Sequence, residues 1–304
     1  MKSRIYFLMS MLIVFLLLSG CINIPTNEKG VEKYEKQNNE LKNEDTRAVN
    51  TQEQKIIDNK TQQTEIDENK SVSIEEEIKK TKKKEINFKT KDSWLIYGDI
   101  YYSKTKDPQK AIVLLHQLGS DRNDYASLIP PLQEAFPEYD IIALDLRGHG
   151  KSTNLGSYSN FGSGDYKAMK NDVEGLKTYL GVERPTIKEF YLVGSSIGSS
   201  VALDYAANSG FVKKVIMISP GIAYKNYNIK EAAKDYMYGL YLVAAEEDDY
   251  SAQSAEEIYH LSPSDSKVLK IYYNMGAHGM ELSEKTKNES EPLNTLIIKW
   301  IGKN

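Results

Sequence analysis

The stretch Phe190-Tyr191-Leu192-Val193-Gly194-Ser195-Ser196-Ile197-Gly198-Ser199-Ser200-Val201-Ala202-Leu203 changes its pattern halfway. Its first four residues form a short apolar run of the kind found in a buried strand. From Ser199 to Ala207 small and apolar residues dominate, which suits a helix packed close against a sheet. The junction, Gly194 to Gly198, fits G-x-S-x-G. A serine on so tight a strand-to-helix turn has a strained backbone, and flanking side chains would collide with strand and helix. The helix that follows turns its amide groups and positive dipole end toward that serine, where negative charge can be stabilised. Ser196 is therefore the candidate nucleophile.

Outward from this junction, strand and helix patterns alternate. Glu85 to Thr90 and Trp94 to Tyr102 read as two strands, with Lys91-Asp92 in the turn between them. Ala111 to Leu115 and Asp140 to Asp145 are apolar runs expected to be strands buried on both faces. Helices are expected over Tyr125 to Ala135 and Asp165 to Leu180. Further strands are expected at Val215 to Ser219, Gly239 to Ala245 and Val268 to Tyr273, and a last amphipathic helix from Pro292 to Ile301. Such alternation implies an α/β domain, a mainly parallel sheet covered on both sides, over residues 86–304.

Functional residues in such sheets collect at the carboxyl ends of the strands. His116, Ser196 and Asp248 end three of the runs, and His278 follows the last. A serine hydroxyl needs a base within hydrogen-bond reach, and the chain has only four histidines. His278, in the small-residue loop Gly276-Ala277-His278-Gly279, is the candidate base. His149 sits in a tight turn and reads as structural; His260 lies on an expected helix and reads as a surface or packing residue. The base needs a carboxylate to fix its tautomer, and Glu246-Glu247-Asp248-Asp249 supplies four at one strand end. Asp248 is preferred by position, with Asp249 as the alternative.

The order Ser196, Asp248, His278 resembles that of the α/β-hydrolase superfamily. Leu114 to Gly119 is similar to its oxyanion loop, Asp145 to Ser152 to its D-x-R-G-x-G-x-S turn, Gly194 to Gly198 to its nucleophile elbow, and Gly276 to Gly279 to its histidine loop. The resemblance implies an α/β-hydrolase fold with an eight-stranded type of sheet. It implies Ser196 as nucleophile, His278 as base, Asp248 as orienting acid, and the backbone N–H groups of Ile197 and Leu118 as oxyanion donors. Gln117 departs from the commoner glycine after the histidine and is closer to the variants that resemble dienelactone hydrolase. Ala245 departs from the usual glycine before the acid, which should alter only the local turn. The segment Pro220 to Tyr238 is short for the family's lid, so an open or lightly covered site is expected. Tyr224, Tyr227, Tyr236, Met237 and Tyr238 either rim the site or pack the segment onto the sheet.

The first residues have a different character. Lys2 and Arg4 precede an apolar stretch from Ile5 to Leu18, interrupted only by Tyr6 and Ser10. A membrane span needs about 20 residues, so the run reads as a signal peptide over residues 1–20. Leu18-Ser19-Gly20-Cys21 resembles the lipobox of prokaryotic lipoproteins, which implies lipidation of Cys21, the only cysteine. An uncleaved signal anchor is the alternative. Residues 21–85 are rich in Glu, Lys, Asn and Gln, too poor in apolar surface to fold, and are expected to be a disordered tether. The lysine run Lys79 to Lys84 reads as solvated charge.

The net charge of −4 gives no reason to expect nucleic-acid binding. A single cysteine excludes an intrachain disulfide framework or a cysteine-based zinc site, and neither metal nor organic cofactor is implied. The expectation is a lipid-anchored hydrolase outside the cytoplasmic membrane, acting on small or accessible carboxylic esters, of unspecified oligomeric state. A serine peptidase, another acyl hydrolase, or a non-catalytic surface binding protein on the same fold are the alternatives.

Overall fold

The computed structural model describes residues 83–303. The expected signal peptide, Cys21 and the expected tether up to residue 82 lie outside the described residues. Eight strands form one sheet in the order β1-β2-β4-β3-β5-β6-β7-β8. They are β1 Lys83–Lys89, β2 Leu95–Tyr101, β3 Lys110–Leu115, β4 Asp140–Asp145, β5 Glu189–Ser195, β6 Val212–Ile218, β7 Gly239–Ala245 and β8 Lys267–Tyr272. β2 runs antiparallel to both its neighbours, and every other pair is parallel. The helices are α1 Ile129–Ala135, α2 Ser163–Ala168, α3 Lys170–Glu183, α4 Ile197–Ala207, α5 Lys230–Asp235, α6 Asp249–Leu261, α7 Glu281–Lys285 and α8 Leu293–Gly302.

The continuous apolar runs become central strands because both faces of the sheet are covered. Along β3, Ala111, Val113 and Leu115 face one core with α3 and α4, while Ile112 and Leu114 face the other with α1 and α8. Each fully buried aliphatic side chain contributes about 1.5–3 kcal/mol relative to exposure, so the register of the central strands is strongly specified.

Among the boundaries that differ from expectation, three have a visible cause. β1 starts at Lys83, inside the stretch expected to be tether. Two charged residues there stand on an edge strand and are paired: Lys83 Nζ lies 2.6 Å from Asp99 Oδ2, and Glu85 Oε2 lies 2.7 Å from Lys151 Nζ. The helix expected from Tyr125 starts at Ile129, because Pro130 and Pro131 lack the N–H that a helix interior uses and fit only its first turn. Residues Arg122–Tyr125 instead form a separate 3-10 turn, capped by Asp121. The helix expected over Asp165 to Leu180 is two, joined at Met169 through shorter i→i−3 bonds, Met169 N–H to Tyr166 O and Asp172 N–H to Met169 O.

Candidate active site

β5 delivers Ser196 on the turn into α4. Ser196 has φ 50° and ψ −115°, a conformation that costs a non-glycine residue on the order of 1–3 kcal/mol. The turn is held by Ser196 N–H donating to Ile218 O at 2.8 Å, while Ser196 O accepts from Ser199 N–H at 3.0 Å and Ser199 Oγ at 2.6 Å. The flanking glycines are required by space. A Cβ on Gly194 would lie 2.5 Å from Ser199 Cα, and one on Gly198 would lie 2.6 Å from His116 O. Strand, helix and the loop after β3 thus close on one serine.

The turn into α6 and the loop after β8 deliver the acid and the histidine. His278 Nδ1 lies 2.7 Å from Asp248 Oδ2, with the imidazole 47% exposed and the carboxylate 19% exposed. A carboxylate only accepts, so Nδ1 carries the hydrogen and Nε2 is left as the basic nitrogen. Burial pushes the Asp248 carboxyl up, but hydrogen bonds from His278, Ser251 and Ser219 outweigh it and hold the pKa below the ordinary carboxylate value. Asp249 is exposed in the first turn of α6 and takes no part in this contact.

Ser219 and Ser251 carry no mark in the sequence, yet both are only 1% exposed. Ser219 follows β6 at φ 48°, and its Oγ accepts from the N–H of Gly279 at 2.9 Å. The same hydroxyl bonds Asp248, so it links the histidine loop to the acid from below. No local pattern marks such a serine; only its place just past a strand end hints at it.

Ser196, Asp248 and His278 line one cavity of about 300 Å³, together with Gln117, Leu118 and Ile197. Among the described residues, no hydrogen bond joins Ser196 Oγ to His278 directly, and the N–H groups of Leu118 and Ile197 have no protein acceptor. Two free donors therefore flank the serine, one at the start of α4 and one in the loop after β3. Of the tyrosines between β6 and β7, Tyr227 and Tyr236 are buried, and their hydroxyls bond Asp204 and Gly239 O. Tyr224 alone of that group lines the cavity, at 38% exposed, while Met237 and Tyr238 are exposed elsewhere. The second ring at the mouth is Tyr250, at the start of α6, whose hydroxyl accepts from Ala223 N–H at 3.1 Å.

The other motifs build the frame around this cavity. His116 is fully buried: Leu146 N–H donates to its Nε2 at 3.0 Å, and its Nδ1 donates to Gln117 O at 2.7 Å. His149 bonds Arg147 O through Nδ1 at 2.9 Å and stacks on Tyr158, with ring centroids 4.3 Å apart. Arg147 is buried between Asp172 and Asp92, donating through Nε at 2.8 Å to the first and through a terminal nitrogen at 2.6 Å to the second. His260 lies exposed on α6. Among the described residues there is no group of three acidic, histidine or cysteine side chains able to hold a metal ion, and no helix is long and apolar enough to cross a membrane.

This sheet order, with a serine on the turn after β5, an acid after β7 and a histidine after β8, is the architecture of the alpha/beta hydrolase fold. Residues 110–292 match the model of that family, and the chain belongs to it. It is 30% identical over 114 residues to a putative alpha/beta hydrolase of Acanthamoeba polyphaga mimivirus, covering 37% of this chain and 40% of that protein. It is 29% identical over 98 residues to 2-succinyl-6-hydroxy-2,4-cyclohexadiene-1-carboxylate synthase of Klebsiella pneumoniae, covering 32% of each. The chain thus spans less than half the length of these curated relatives. Among solved structures it resembles an esterase of Pyrococcus furiosus, with a TM-score of 0.57 at 17% identity, over 72% of this chain and 91% of the other. It also resembles a dienelactone hydrolase of Anabaena variabilis, with a TM-score of 0.56 at 16% identity, over 73% and 98%. At these identities the structural likeness establishes the fold.

Proposed function

We propose that this chain is a serine hydrolase of carboxylic esters, with Ser196 as nucleophile, His278 as base and then acid, and Asp248 as the carboxylate that orients the imidazole. Ser196 Oγ attacks the acyl carbon as His278 Nε2 takes its proton. The oxyanion accepts from the N–H groups of Ile197 and Leu118. His278 then protonates the leaving alcohol, and a water deprotonated by His278 releases the acid from the acyl-enzyme. The observation that carries this reading is the Asp248–His278 hydrogen bond of 2.7 Å beside a cavity that Ser196 also lines. The missing Ser196–His278 bond is compatible with it, since such contacts commonly tighten only when substrate is bound.

A cavity of about 300 Å³ is at the small end for ligand sites and suits short acyl groups. The esterases among the fold's solved neighbours support ester chemistry over peptide hydrolysis. We also propose that Cys21 is lipidated and holds the domain outside the cytoplasmic membrane, from the lipobox-like Leu18-Ser19-Gly20-Cys21. A fluorophosphonate probe should label the detergent-solubilised full chain and fail to label Ser196→Ala. Labelling that persists in Ser196→Ala would overturn the assignment. Labelled palmitate should enter the wild-type chain and not Cys21→Ala; incorporation into both would remove Cys21 from the proposal.

A further inference from the structure

We propose that the side-chain carboxamide of Gln117 is a third hydrogen-bond donor to the carbonyl oxygen of the substrate, a proposal that rests on the ester-hydrolase reading above. Gln117 occupies the position before Leu118 and lines the same cavity as Ser196 and His278. Its main chain is fixed on both sides. His116 Nδ1 and Ser120 N–H both donate to Gln117 O, at 2.7 Å and 3.2 Å, and Gln117 N–H points to Asp124 Oδ2 at 3.4 Å.

The side chain is fixed as well. Ser195 Oγ donates to Gln117 Oε1 at 3.3 Å, and the same oxygen packs so closely on Gly279 that a Cβ there would run into it. Oε1 is thus held by the residue before the nucleophile and wedged against the residue after His278. The Nε2 of Gln117 has no acceptor among the described residues, it is not one of the enclosed unpartnered nitrogens, and its residue lines the cavity. A donor held in advance at a reaction centre stabilises developing charge without reorganising at the moment of reaction. The glycine commoner in the family at this position has no such group to offer.

The test uses the full chain with an aryl acetate and the matching aryl thionoacetate, whose thiocarbonyl sulfur is a poor hydrogen-bond acceptor. Gln117→Met keeps the length and removes the donor; Gln117→Glu keeps the shape and offers only oxygen. Both are expected to lose roughly 10²-fold in kcat on the oxygen ester, as removal of one oxyanion donor does, with KM little changed. On the thiono ester the loss should be much smaller. Equal losses on both substrates would mean that Gln117 acts only by packing, and unchanged kcat on the oxygen ester would mean no role at the oxyanion; either overturns the proposal. Should both variants fail to fold, Ser195→Ala loosens Oε1 while keeping the donor, and an unchanged kcat in that variant overturns it too. Fluorophosphonate labelling of the wild type separates this failure from failure of the hydrolase reading: labelled enzyme with an indifferent Gln117 loses only the third donor, whereas unlabelled, folded wild type loses both.

Discussion

At the carboxyl ends of β3 and β4 the rings of His116 and His149 meet edge to face, with centroids 4.9 Å apart; at the ends of β7 and β8 His278 meets Asp248. All three histidines follow strands in the region where this fold places chemistry, yet their surroundings assign them opposite work. His116 is enclosed, both ring nitrogens are bonded to main chain, and burial pushes its pKa down to about 3. It joins the loop after β3 to the end of β4 and cannot release Nε2 without leaving Leu146 N–H unpaired. His278 has one nitrogen held by a carboxylate and the other free, on a ring that is half exposed. Position on the sheet brings a histidine to the site, and burial together with its partners decides whether it can move a proton.

The sharpest way to break this contrast is to exchange phenotypes. Asp248→Asn leaves the geometry but offers His278 the wrong hydrogen-bond partner, and the change is expected to lower kcat on the order of 10⁴-fold. Steady-state kinetics with an aryl acetate checks it. A loss below about tenfold would dismiss Asp248 as the orienting acid, since a tenfold change in rate is only about 1.4 kcal/mol.

His116→Ala should do the reverse in kind. It empties a fully buried site and strips partners from Leu146 N–H and Gln117 O, and should cost about 2–4 kcal/mol of stability in urea unfolding. Any surviving folded enzyme should still take the fluorophosphonate label. Loss of labelling at full stability would make His116 a chemical participant and collapse the comparison.

The two regions should also answer acid differently. His116 has its pKa lowered from 6.5 to about 3 in the folded state, so between those values the unfolded chain binds the additional proton. Stability from His116 is therefore complete above about pH 6.5 and is lost progressively as pH falls toward 3, each pH step of one removing at most about 1.4 kcal/mol. His149, also lowered by burial, adds to the same slope. Asp248, with its pKa depressed, contributes stability that is present above its unfolded value and lost only as pH falls through its lower folded one. Urea titrations from pH 7 to 4 should show a slope that flattens in His116→Asn and stays as in wild type in Asp248→Asn. An unchanged slope in His116→Asn would mean that His116 takes up its proton in the fold as readily as in the unfolded chain.

Much of this arrangement is legible in the sequence because its determinants are local. The change of period around Gly194 to Gly198 is visible as spacing, and the enclosed strands show as uninterrupted apolar runs. Other parts depend on contacts between segments far apart in the chain. Ser219 serves through one hydroxyl that meets Gly279 and Asp248, and nothing in its neighbours distinguishes it from an ordinary serine after a strand. Tyr250 is no more conspicuous in the sequence than the tyrosines before β7, because which rings reach the mouth depends on how α6 leaves Asp248. The start of β1 at Lys83 is hidden for a related reason: an edge strand whose charges are paired across the sheet resembles a charged tether until its partners are known.

The choice between neighbouring carboxylates is the finest point of the comparison. Asp248 precedes α6 with φ −88° and ψ 65°, outside helical geometry, and this turn brings its carboxylate to His278. Asp249 is the first helical residue and is exposed, so its charge acts on α6 through the helix dipole, an effect of about 0.3–1 kcal/mol. Asp249→Asn should therefore leave kcat within about twofold and lower stability by no more than that dipole effect. A loss in kcat approaching that of Asp248→Asn would mean that the two carboxylates exchange places during turnover, and the turn before α6 would then have to move. A helix start held by Ala252 N–H donating to Asp248 O at 2.9 Å opposes that movement, which is why the smallest expected effect is also the most direct test of how rigidly the site is held.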